Sequence, residues 1–506
     1  MSRKLLRRVA LVSKQPGRTA RLVLRCYGLA TAAFYLFLHW IAHPYRRSAP
    51  LRHQPPGAGT RGLPVVSIIV PARNEEATIW RCVRSLLFQD YPADYEVIVV
   101  DDGSTDQTWA ILERLAREPA AAGRLRLISL GEELPPGWAG KPHALHSGAS
   151  QARGTWLVFT DADSFWAPHT LRLTLGEALA RGLDLLSLVP EQIIADGWNR
   201  LTLPLALMGM SLQFPPPLVN QPCCPLATAN GQYILLRRSV YEALGGYAHP
   251  RLRHSPLDDR DLAALLKRHG YRLALCDGRG LVRVQMYRGL SALWRGWRKT
   301  IFVGSGGLPF MVAALLGLPL VVVGPFLLPL LLWLGRNWWR QQGVGTGEAV
   351  LASCLTLLPL LTYRRALDQS LGLPWYQALA HPLGGLLFIG ILAQACWHRL
   401  TGRGVEWRGR IYGASSRAAA PGSQPLVGQQ ALTQTKDSRL GAVANAELLE
   451  DDRKVILDGL LRVGKLSGDF AVAHTLRNVA NDLYFFFRQV IQSWSAWRTW
   501  LLRETA

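Results

Sequence analysis

Acidic side chains are scarce in this chain. Against 57 Lys and Arg there are 35 Asp and Glu, so 506 residues carry a formal charge of +22. Such an excess leaves two kinds of partner open, nucleic acid or an anionic membrane surface. Cysteine is scarce as well: there are seven, with no CxxC pair, which excludes a disulfide scaffold and a zinc module. Adjacent Cys223 and Cys224 read as a buried small pair, and reduced thiols in a cytosolic domain are expected. From residue 301 to 335 charge is missing altogether. What the chain does have is apolar surface, 49% of its residues, which excludes a mainly disordered protein. Its length is that of two to four folded units.

The uncharged stretch decides most of the partner question. Within it, 308–334 exceeds the ~20 residues a helix needs to cross a bilayer. Pro309, Pro319, Pro325 and Pro329 interrupt it, so it reads as a kinked span or a tight re-entrant pair. Runs at 349–363 and 374–397 follow, and 26–42 is a fourth candidate inside a basic N-terminal segment, 1–61. That segment has a signal-peptide-like order of charge then apolar run. It lacks an A-x-A-like site, so an uncleaved anchor or interfacial helix is expected. The Arg- and Trp-rich stretch 283–299 could suit nucleic acid. Its place directly before the longest apolar run makes it an interfacial belt instead, and no nucleic-acid partner is expected.

Between the apolar regions, 62–300 alternates β-branched runs at 65–70, 96–100, 125–130 and 156–159 with helical patterns such as 76–88 and 108–115. This is the pattern of an α/β fold, a mainly parallel sheet with helices on both faces. Ligands of such sheets bind beyond the carboxyl ends of the strands. The membrane region takes up 301–412. Residues 413–445, rich in Ala, Ser, Gly, Gln and Pro, read as a linker. In 446–506, Leu483, Phe487, Val490, Trp494, Trp497 and Leu501 recur at steps of four and three, the pattern of a helical tail.

Acidic motifs sit where the fold would use them. Asp101 and Asp102 follow the second strand, and Asp161-Ala162-Asp163 follows the fourth. Two carboxylates spaced D-x-D on a turn suit a hard cation, Mg2+ or Mn2+, that shares its sphere with substrate phosphates. Asp258, Asp259 and Asp261 open a helical pattern, where Asp caps well; a carboxylate fixed there could also act as general base.

Taken together, IIVPARNE at 68–75, VVDDGS at 99–104, GWAGK at 137–141, FTDAD at 159–163 and GQY at 231–233 resemble the family 2 glycosyltransferases. MYR at 286–288, WRGW at 294–297 and WRGR at 407–410 are similar to the membrane-bound branch acting on polyprenoid lipids, which includes carotenoid- and hopanoid-associated enzymes. The resemblance implies a GT-A-like fold, a nucleotide-sugar donor and a membrane lipid or terpenoid acceptor. It implies that Ala72, Asn74 and Glu75 line the nucleotide pocket and that Asp101 or Asp102 reads the base or ribose. Lys141 would approach the diphosphate, and Asp161 and Asp163 would hold the metal, Asp163 above all. Gly231, Gln232, Arg288 and Trp294 fall on the acceptor side. Asp259 would be the base, with Asp258 as its rival where the family often has Glu.

Processive synthases of the family carry Q-x-x-R-W. Here Gln285 and Arg288 are followed by Gly289, which implies transfer of one sugar rather than polymer synthesis. Transfer to a polysaccharide or polyprenyl phosphate and a catalytically silent membrane scaffold are the competing readings. A cytosolic donor requires the catalytic domain to face the cytoplasm. Three spans after it would carry the basic segment 399–410 outside, against the positive-inside tendency, so a hairpin within 308–334 is expected.

Overall fold

The structure is a computed structural model and describes residues 16–46, 51, 63–131, 133–304, 307–407 and 410–412. The linker 413–445 and the helical tail 446–506 lie outside the described residues. Eight strands build one sheet: β1 Val66–Ala72, β2 Tyr95–Asp102, β3 Leu125–Leu130, β4 Trp156–Phe159, β5 Ser164–Trp166, β6 Leu185–Gln192, β7 Ile234–Arg237 and β8 Leu273–Val284. Their order is β3-β2-β1-β4-β7-β6-β8-β5. The first four in that order run parallel, as do β6 and β8. β7 is antiparallel to β4 and β6, and the short β5 is antiparallel to β8.

Continuous apolar runs form β1, β2 and β4 because helices cover both faces. Val66, Ile68, Val70, Val97 and Val99 face helices α2 Ile79–Leu87, α3 Thr108–Ala116 and α5 Thr170–Ala180 through Val83, Leu112 and Leu175. Ile69, Ile98, Val100, Leu157 and Phe159 face the other way, onto α4 Gly140–Ser150 and α7 Asp258–Arg268 through Leu145, Leu262 and Leu266. Between them in sequence, α6 Gly197–Gln213 carries the chain toward the apolar helices.

Those helices are α1 Pro16–Arg46, α8 Gly289–Gly304, α9 Leu308–Leu318, α10 Gly324–Leu334, α11 Thr346–Ser370 and α12 His381–Leu400. Among the described residues, four stretches are long and apolar enough to cross a membrane: Gly17–Ile41, Leu308–Leu334, Thr346–Ser370 and Trp375–Leu400. Three outrun the sequence segments 26–42, 349–363 and 374–397. The fourth corrects an expectation, since 308–334 makes no hairpin. A π-helical turn, Pro319–Val323, joins α9 to α10, and Leu318, Val323 and Gly324 all keep right-handed helical dihedrals. The prolines are absorbed as a bulge, as helices commonly do.

The chain divides into two units, Met1–Trp297 with Gly317–Ile391, and Arg298–Leu316 with Leu392–Ala506. In the first, Tyr35, Leu38 and Ile41 of α1 pack with Leu205 and Met208 of α6, Val322, and Leu360 and Tyr363 of α11. This core also encloses an ion pair. Arg364 and Asp368 pair within α11 through a 3.1 Å Nη2–Oδ1 contact, with side chains only 1% and 0% exposed. In the second unit, Arg399 donates to the Phe302 carbonyl at 2.7 Å and Arg298 to Gln394 at 3.2 Å.

Candidate active site at the carboxyl ends of the strands

Two neighbouring loops are laced together beyond β1 and β2. Asn74 holds a left-handed φ of 54°, which Asn tolerates better than most residues. That turn lets its Oδ1 accept from the Thr105 N–H at 2.8 Å while its own N–H donates to Ser104 Oγ at 3.0 Å. Next to it, the Glu75 N–H donates to Thr108 Oγ1 at 2.7 Å. Asp101 is buried and shapes its own turn, accepting from the Ser104 N–H at 3.1 Å and from the Ser104 hydroxyl. Arg73 donates to the Asp102 carbonyl and lies 4.0 Å from its carboxylate. Ala72 ends β1 beside Asp101 in register. One rim thus gathers Ala72, Asn74, Glu75, Asp101 and Asp102, the set expected around a nucleotide.

A second group converges beyond β4. Asp161 and Asp163 lie on the turn between β4 and β5. Lys141, at the start of α4, brings Nζ to 2.7 Å from Asp161 Oδ1 and 3.9 Å from Asp258 Oδ1. Asp259 Oδ2 accepts from the Gly231 N–H at 3.0 Å, and its Oδ1 from the Arg260 N–H at 2.7 Å. The Gln232 carbonyl accepts from Thr160 Oγ1 at 2.8 Å and from Ser164 Oγ at 3.4 Å, so the Gly231–Gln232 loop is fastened to the acidic turn on both sides. Residues from 141 to 259 thereby form one cluster, because α4, the β4–β5 turn and the start of α7 all open at the same end of the sheet.

Electrostatics follow from this crowding. Burial pushes the Asp258 carboxyl up to about 6; Lys141 opposes that rise, and Asp259 and Asp161 add to it. Burial also works against the Lys141 ammonium, but Asp161, Asp258 and Asp259 outweigh it and raise its pKa, keeping it charged. Because the folded state binds the Asp258 proton more tightly than the unfolded chain does, the contribution of Asp258 to stability should rise as pH falls from about 6 toward 4. Relative to Asp258→Asn, wild type should gain about 2 kcal/mol between pH 7 and pH 4, read from paired unfolding curves. Curves that stay parallel would show that Asp258 does not titrate in this range.

The other two expected acceptor-side residues sit where the apolar helices attach. Arg288 donates to Gln285 Oε1 at 2.9 Å. Trp294 on α8 lies so close to Gly390 that a Cβ there would meet its ring at 2.9 Å. Sequence reasoning missed the clip that holds this segment. Asp196 caps α6 by accepting from the Asn199 N–H at 2.9 Å, and its second oxygen takes the Gly289 N–H at 2.7 Å. Asn199 also donates to the Tyr287 carbonyl at 3.2 Å. A small cavity beside the clip is lined by Ile193, Leu203, Met286 and Trp297. An Asp followed three residues later by Asn, at the head of an apolar helix, was the only available signal.

Residues 67–245 match the family model described as Glycosyl transferase family 2. The chain carries a family 2 glycosyltransferase domain. Among curated proteins, this glycosyltransferase is 29% identical over 360 residues to a 4,4'-diaponeurosporenoate glycosyltransferase of Staphylococcus aureus (strain bovine RF122 / ET3-1), covering 69% of this chain and 88% of that protein. Its counterpart in strain MRSA252 is 28% identical over the same length. A solved mannosyltransferase from Pyrobaculum calidifontis, in complex with GDP-Man and Mn2+, matches at 20% identity and a TM-score of 0.44, over 75% of this chain and 99% of that one. Glucosyl-3-phosphoglycerate synthase from Mycobacterium tuberculosis, with Mn2+ and UDP-glucose, matches at 23% identity and a TM-score of 0.31, over 47% of this chain and 78% of that one.

Proposed function

We propose that this glycosyltransferase moves a single sugar, with inversion, from a nucleotide-sugar donor to a hydroxyl of a membrane lipid or terpenoid, a carotenoid in first place. The observation that carries the reading is the convergence of Lys141, Asp161, Asp258, Asp259 and Gly231 at one end of a sheet joined to apolar helices. The acceptor class draws support from the relatives named for 4,4'-diaponeurosporenoate. A cytosolic donor would place the catalytic domain on the cytoplasmic side of the membrane.

The donor set suits Mg2+ or Mn2+. Asp161 and Asp163 bring two carboxylates on one turn, the hard oxygen ligands such cations take, and substrate phosphates would complete the sphere. When bound, the cation would neutralise charge on the departing diphosphate. Lys141 would add a positive charge beside the same group. Asp259 would take the acceptor proton, its carboxylate oriented by the Gly231 and Arg260 N–H groups. The lacing of 72–75 to 101–108 would seat the nucleoside.

One observation favours a second acceptor chemistry. The substrate named for the relatives is a carboxylate, and a carboxylate acceptor, already ionised at neutral pH, needs no base. The test of the primary reading is release of nucleoside diphosphate from membranes containing the protein, given a nucleotide sugar and lipid extract. Release should require a divalent cation and vanish in Asp163→Ala. No release with any donor would favour a catalytically silent scaffold.

A further inference from the structure

Lys141 is placed to serve two anions, and it is drawn to a carboxylate expected to bind metal. Its Nζ is 2.7 Å from Asp161 Oδ1. A bound Mg2+ would sit at about 2.1 Å from the same kind of oxygen. An ammonium and a divalent cation on one carboxylate oxygen compete for its lone pairs and repel each other. The resting place of Nζ is itself built into the fold. A Cβ on Gly231 would come within 2.9 Å of Nζ, so a side chain there would have to displace the tip of Lys141. Meanwhile the backbone around Lys141 is fixed. The Ala139 N–H donates to the Arg253 carbonyl at 2.6 Å, and Trp138 stacks on His146 with ring centroids 5.1 Å apart. The backbone stays in place while the four-carbon stem is long enough to re-aim the charge.

We propose that Lys141 is an exchangeable counter-ion of the acidic site: it holds Asp161 until a donor diphosphate draws it away, and so couples divalent-cation binding to nucleotide binding. The inference rests on the assignment of Asp161 and Asp163 as metal ligands. It adds that Lys141 opposes the cation when nucleotide is absent and cooperates with it when nucleotide is present. Reciprocity is then required, since whatever nucleotide does for the cation, the cation does for nucleotide.

The test is Mn2+ titration of the full chain in detergent, followed by the EPR signal of free Mn2+, with and without UDP or GDP. Lys141→Met should bind Mn2+ alone at least about tenfold tighter than wild type, because a charge in contact with a ligand carboxylate has gone. Its gain in Mn2+ affinity on adding nucleoside diphosphate should be smaller than that of wild type. Gly231→Ala pushes Lys141 off its resting place by a separate route and should also tighten Mn2+ binding in the absence of nucleotide. It decides the matter if Lys141→Met does not accumulate as folded protein. Mn2+ binding that depends on Asp163 but is no tighter in the deciding variant overturns the exchange and leaves the metal site standing. Absence of Mn2+ binding in every form, with nucleotide present, overturns both.

Discussion

Asp259→Asn should lower sugar transfer by about 10²–10⁴-fold while leaving donor affinity close to that of wild type. The substitution keeps the side chain's size and one oxygen for the Gly231 N–H that holds the loop, giving up only the acceptor for the neighbouring Arg260 N–H. What disappears is the capacity to take a proton. Nucleotide binding and sugar transfer therefore need to be measured on the same preparation. A variant that binds donor and turns over at the wild-type rate would remove Asp259 as the base and favour the carboxylate acceptor. Asp258→Asn gives a useful contrast, because Asp258 is 5% exposed, packed beside Lys141 and less accessible to an acceptor.

The second large effect concerns stability rather than chemistry. Arg364→Leu should cost about 3–5 kcal/mol, since it leaves the Asp368 carboxylate buried without its cation. In wild type both carboxylate oxygens accept from Arg364 Nε, at 3.1 and 3.2 Å, and the surrounding core includes Tyr35, Leu360 and Tyr363. Adding Asp368→Leu should restore most of the loss, because a buried ion pair replaced by apolar side chains is commonly neutral or better. Thermal unfolding in detergent of the two single variants and the double variant closes the cycle. Equal stability of Arg364→Leu and wild type would mean that the pair is not buried in the folded protein.

This pair also explains where the sequence misleads. A hydropathy reading stops the third apolar run at Tyr363, because Arg364 follows. In the fold, Arg364 and Asp368 stand one helical turn apart and neutralise each other, and the helix continues to Ser370. Likewise, Arg18, Arg21 and Arg25 hide the first half of α1. Arg25 pairs with Glu348, a contact between residues 323 apart that no local pattern can reveal. The hairpin expected at 308–334 failed because proline marks a weak point in a helix without deciding between a turn and a bulge.

The sheet was legible at β1, β2 and β4, where both faces are buried, and at the half-buried edge strand β3 through its Leu and Ile residues. It was not legible at β5, β6, β7 or β8. β7 runs without a break into a helical turn, Arg238–Ala243, while β8 carries Asp277, Arg279 and Arg283 within its run. For the site, residues just after strands could be read directly, since the fold class fixes where ligands bind. Contacts across the sheet could not. Nothing in the motif at 137–141 says that Lys141 meets Asp161, or that Gly231 leaves room for it. The charge excess does acquire a location: 62–280 holds 21 basic and 23 acidic residues, whereas 1–61 holds twelve basic and no acidic ones. The excess lies beside the apolar segments, where a Lys or Arg near an anionic leaflet contributes about 1 kcal/mol.

The most direct test of the central claim is to follow the sugar. Membranes bearing the protein would be given nucleotide sugars labelled in the sugar and a terpenoid lipid extract, then partitioned between organic solvent and water. The account predicts label in an organic-phase product carrying one sugar per acceptor, with inverted anomeric configuration, present for wild type and absent for Asp163→Ala. Label in a water-soluble polymer, or a lipid product formed equally by Asp163→Ala, would contradict it.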